Sequence, residues 1–148
     1  YSGADEIRKA DIDAVVEPVL DAVVFQMTDL MSSGEYGAAL LKLQQLLKMQ
    51  EEPVGILAII GSHFRKLSVA KTLLDNGKTA LDLMKLTGLS DYPARKTMSA
   101  AGRFSTKFYK RAAELVLECD VQLKTSFDDA DRILEVLISQ LAREARND

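Results

Sequence analysis

The chain has 148 residues, 47% hydrophobic and 28% charged, enough for one domain with a proper core and unlike a disordered or membrane protein. Its net charge of -3 gives no general reason to expect a nucleic-acid partner. The single cysteine, Cys119, excludes an internal disulfide and fits a reducing cytoplasm, and no apolar run reaches the roughly 18 residues of a membrane span.

Apolar residues recur at helical spacing almost throughout, with no sustained period-two alternation. A short segment starts at Asp11, carries Ile12, Val15 and Val16, and is punctuated by Pro18. Leu20, Val23, Val24, Met27, Leu30 and Met31 form the stripe of the next helix, which Gly34 closes. A helix over about 35–49 turns Tyr36, Ala39, Leu40, Leu43, Leu46 and Leu47 inward. Glu51-Glu52-Pro53 starts a long one, with acids at its positive end and Pro in its first turn. Its stripe of Ile56, Leu57, Ile60, Phe64, Leu67 and Leu74 runs down to Asn76-Gly77. Gly55 and Gly61 lower its helix propensity and are read as points of close helix packing.

A short helix spans about 79–86 and stops at Gly88. Ser90 or Asp91 caps the next, with Pro93 near its start and Gly102 breaking it. Ser105 caps a further long helix with Phe108, Ala112, Leu115, Val116, Cys119 and Leu123 in register, and an Asp120–Lys124 pair near its end. Asp128 or Asp129 caps the last helix, whose broad apolar face includes Ile133, Leu137 and Leu141. The reading is all-α: a bundle of about seven to eight helices with short connections.

Little in this pattern suggests chemistry. His63 is the sole histidine, sits beside Phe64 in an apolar-periodic helix, and is read as structural or surface. Cys119 faces inward and is read as a small hydrophobe. There is no phosphate-binding GxxxxGK[ST] loop and no GxGxxG after a strand. Asp128, Asp129 and Asp131 are read as caps and dipole partners rather than metal ligands. No catalytic residue, cofactor or metal is expected.

Charge is unevenly distributed. Residues 1–52 hold ten acids and four bases, the remainder twelve acids and fifteen bases. From Tyr92 to Ala113 there is no acid, while Arg95, Lys96, Arg103, Lys107, Lys110 and Arg111 alternate with Phe104, Phe108 and Tyr109. The last four bases share one face if the helix continues through Ser105. Such a stripe could follow a phosphate backbone. It equally suits a solvated face, or one that meets an acidic neighbour such as the acid-rich first part of this chain. Residues 81–98 also scan as helix, Gly-containing turn and helix, with Arg95 and Lys96 outward, which opens a second reading as a DNA-binding domain using residues 90–111.

The order of motifs resembles a known family. Ala10–Val16 looks like the end of an AAA+-type lid domain. It is followed by Val24–Leu30, Gly34, Ala38–Leu41, Glu51-Glu52-Pro53 and Ile56-Leu57. Leu86–Leu89, Arg103-Phe104-Ser105, Ala113–Leu115 and Asp120–Ser126 come next, ahead of the terminal helix. This series, over about residues 10–146, is similar to the delta subunit of the bacterial DNA polymerase III clamp loader.

The resemblance implies a division into residues 1–18, the end of a lid domain, and 19–148, a helical collar domain; the chain, opening Tyr1-Ser2-Gly3 without a Met, is read separately as a piece cut from something longer, with those three residues foreign to it. It implies a cytoplasmic assembly role in DNA replication, in a pentameric ring with the gamma/tau and delta-prime subunits. The parent would be a non-catalytic subunit of the polymerase holoenzyme. It would touch the sliding clamp through an N-terminal domain outside this sequence, and primer-template DNA could lie near the collar.

Overall fold

The computed structural model describes residues 22–31, 33–49 and 52–148, and its helices start and stop where the local chemistry requires. They are α1 (22–31), α2 (Tyr36–Lys48), α3 (Pro53–Asp75), α4 (Ala80–Thr87), α5 (Asp91–Ala101), α6 (Thr106–Thr125) and α7 (Ala130–Asn147). No strand occurs among the described residues. The chain is all-α, as its periodicity predicts. The expected lid segment, residues 1–18, lies outside the described residues.

Two helix ends use the same device. At Gly34 (φ 80°) the Glu35 N–H donates to the Leu30 carbonyl at 2.8 Å, and the Gly34 N–H to that of Met31 at 3.2 Å. At Gly77 (φ 69°) the Lys78 N–H reaches the Leu73 carbonyl at 2.8 Å. The Glu35 and Lys78 bonds are six-to-one; with the Gly34 bond they satisfy carbonyls that a helix end leaves unpaired, and the left-handed residue they need is cheapest as glycine.

Helix starts follow the same logic. Pro53 opens α3, where its missing N–H costs nothing. The Asp82 carboxylate accepts from the Thr79 N–H at 3.0 Å at the head of α4, and this bond above all holds its carboxyl below the usual range. The Ser105 hydroxyl accepts from the Phe108 N–H, and Asp129 from the Asp131 N–H.

The long helix α3 is the hub. It packs against α4, α5, α6 and α7, while α6 also packs on α7, and α2 joins through α7. Its stripe of Ile56, Leu57, Ile60, Phe64 and Leu67 is buried. Opposite stand Leu115 of α6 and Leu134, Leu137, Ile138 and Leu141 of α7, all almost wholly buried. Each such side chain contributes about 1.5–3 kcal/mol by leaving water. Helix α1 seats Val24 and Met27 in the same core and sets the Phe25 ring edge-on to His63, with centroids 4.3 Å apart.

Three expectations need correction. Leu74 lies on the extrapolated α3 stripe but is 38% exposed, one side chain of the stripe left partly in solvent near the end of α3. A Cβ on Gly55 would meet nothing within 4 Å, so only Gly61 marks a close approach, with Val116 Cγ1 at 3.2 Å. The helix does not continue through Ser105. Helix α5 ends at Ala101 and α6 starts at Thr106, so Arg103 stands in a turn and leaves the face it was expected to share with Lys107, Lys110 and Arg111.

Candidate assembly and binding surfaces

A furrow of about 450 Å³ runs between α3 and α6. Its floor is where Gly61 lets the two helices close, against Val116. Its walls are apolar and face solvent: Val54 is 51% exposed and Leu117 65%, and Val121, one turn beyond Leu117, is 52%. Arg65 and Asp120 stand on its two sides. On α6, Ala113, Leu117 and Val121 make an outer row at i, i+4 and i+8, beside the inner row of Ala112, Leu115 and Cys119. An apolar row exposed to solvent is a patch of the kind that marks interaction surfaces. Sequence reasoning missed it because both rows have helical spacing. The available signal was that the apolar positions of α6 outnumber one stripe.

The six expected basic residues divide into two groups. Arg95, Lys96 and Arg103 line a notch of about 290 Å³ between α1 and α5, together with Phe25, Asp29, Tyr92 and Ser99. Arg103 pairs with the Asp29 carboxylate, Arg95 with Asp91 one turn earlier at 3.1 Å, and the Lys96 ammonium lies 4.7 Å above the Phe25 ring. Lys107, Lys110 and Arg111 belong to α6. Lys107 and Lys110 are exposed. Arg111 turns to Glu114 at 3.2 Å, Glu118 at 3.5 Å and Glu144 of α7 at 3.6 Å, and the Glu114 bond chiefly raises its pKa. The six therefore do not make one continuous basic face. The helix–turn–helix of α4 and α5 is present, with Arg95 and Lys96 exposed.

His63 and Cys119 are both interior. Burial drives the His63 pKa down to about 4, with Lys66 adding to the effect, and its Nε2 has no hydrogen-bond partner among the described residues. Burial pushes the Cys119 thiol up to about 11, aided by Asp120. Burial likewise raises Tyr109, whose hydroxyl donates to the Ala101 carbonyl at 2.8 Å. Among the described residues no group of three or more His, Cys, Asp or Glu could hold a metal ion. No described helix is long and apolar enough to cross a membrane.

The architecture is thus an α-helical bundle whose notable features are surfaces: an apolar furrow and a basic, aromatic-walled notch. The chain belongs to the family described as DNA polymerase III delta subunit, C-terminal domain, whose family model matches residues 21–141. It is 25% identical over 145 residues to the DNA polymerase III subunit delta of Bacillus subtilis (strain 168), covering 97% of this chain and 42% of that protein. The Bacillus subtilis DNA clamp loader delta protein has the same fold, with a TM-score of 0.78 at 23% identity over 84% of this chain and 37% of that one. The chain thus spans less than half the length of these relatives.

Proposed function

We propose that this chain is the assembly domain of a clamp-loader delta subunit, joining other clamp-loader subunits in a ring that loads the sliding clamp during DNA replication in the cytoplasm. Family membership over residues 21–141 carries the reading. The partners are the gamma/tau and delta-prime subunits, and the domain contributes packing surface rather than a reaction. Contact with the sliding clamp belongs to a part of the subunit outside this sequence.

The apolar furrow supports the reading physically. A ring subunit must offer its neighbour a preformed, desolvatable surface, and Val54, Leu117 and Val121 offer one without unfolding anything. A helix of a neighbouring subunit seats there, with Arg65 and Asp120 giving one cationic and one anionic contact to fix its register.

The test is light scattering behind a sizing column, with the chain alone and then mixed with the corresponding domains of the other subunits from the same organism. A stable mixed complex is expected. Leu117→Asp should remove it while leaving the melting temperature nearly unchanged, because Leu117 is already solvated. Well-folded partners that never associate would overturn the assembly role, and association indifferent to Leu117→Asp would overturn the furrow as its site.

A further inference from the structure

The notch between α1 and α5 has a chemistry of its own. Three cations, Arg95, Lys96 and Arg103, converge on a depression walled by the Phe25 and Tyr92 rings. Tyr92 is 68% exposed, so one ring face is open to a ligand. Arg103 already holds one carboxylate, that of Asp29.

We propose that this notch captures a short acidic peptide segment of a partner protein, one that carries an aromatic or large aliphatic side chain next to its carboxylates. The carboxylates meet the Arg95 guanidinium and the Lys96 ammonium, and the apolar side chain lies against Tyr92 and Phe25. Arg95 is available because its present pairing, with Asp91, is an exposed contact within one helix turn, worth a few tenths of a kcal/mol.

The observations favour a peptide over a nucleic-acid strand. A strand needs a basic track several nucleotides long. Beyond the notch Arg111 is engaged by Glu114, Glu118 and Glu144, and the exposed Lys107 and Lys110 stand on a different helix, α6. The depression, about 290 Å³, also contains Asp29, which is paired with Arg103.

This capture is separate from ring assembly through the furrow, and the two stand or fall independently. The experiment is fluorescence anisotropy on the whole chain at low salt. The probes are a labelled octapeptide of alternating Asp and Glu around one Phe, its Asn/Gln counterpart, and a thymidine oligonucleotide of equal charge. The acidic peptide should bind, more weakly as salt rises, and the neutral one should not. The double variant Arg95→Gln/Lys96→Gln should weaken binding about tenfold or more, whereas Lys107→Gln/Lys110→Gln should leave it unchanged. Thermal melts of both variants check that the exposed changes leave the fold intact. No binding of the acidic peptide, equal loss in both double variants, or tighter binding of the oligonucleotide at Arg95 and Lys96 would each overturn the proposal.

Discussion

His63 sits between the rings of Phe25 and Phe64, and its Nε2 has no partner among the described residues. Charging it inside the fold is costly, so its pKa falls to about 4 from an ordinary 6.5. The unfolded chain therefore takes up the proton first. The stability tied to neutral His63 is whole above pH 6.5 and drains away as pH falls towards 4, by about 3 kcal/mol if the imidazole stays fully buried. Urea unfolding at a series of pH values should show this acid-side loss, and His63→Phe should flatten it while costing little near neutrality. A variant with the same slope as the parent would assign the loss to other groups. The sequence set His63 beside Phe64 in an apolar-periodic helix and left it structural or surface, without deciding its burial. It could not show the missing partner, because that depends on how α1 docks.

At the scale of the helix, the two glycines of α3 make a matched pair. Both sit where alanine would favour helix, but Gly55 faces open space and Gly61 faces Val116 at 3.2 Å. Gly55→Ala should stabilise by about 0.5 kcal/mol through reduced freedom of the unfolded chain. Gly61→Ala gains the same entropy but must push Val116 aside, so its melting temperature should fall below that of Gly55→Ala. Equal shifts would mean that the α3–α6 contact is soft. Helix boundaries were the most legible feature here, since Gly34, Pro53, Gly77, Gly88 and Ser105 each impose a specific local geometry. The same Ser105 that marks the start of α6 is what breaks the basic stripe. A face extrapolated across a capping residue is a face on two different helices. The two apolar rows of α6 were illegible for another reason: burial is decided by which neighbour arrives, and Leu115 and Leu117 differ only in that.

For the whole molecule, the hub position of α3 sets the cooperativity. Helices α4 to α7 all lean on it, so none of them has a core of its own to unfold around. Far-UV and near-UV circular dichroism should follow a single coincident transition, and two separated transitions would show a divided core. The bundle class was readable from periodicity alone, and the family from the order of its punctuation. The notch was not, because it joins residues 25–29 to residues 92–103 and no local pattern records that meeting.

The interior carries one more consequence. Lys96 lies over Phe25, Phe25 meets His63 edge-on, and His63 meets Phe64, so a line of contacts runs from the notch to the middle of the bundle. His63 is also the sole histidine of the chain. Its imidazole carbon-bound protons therefore give one unambiguous pair of magnetic-resonance lines, displaced by the ring currents of two phenylalanines. Anything that lifts Lys96 from its ring or shifts α1 moves those lines, giving a built-in spectroscopic reporter at a site no ligand touches.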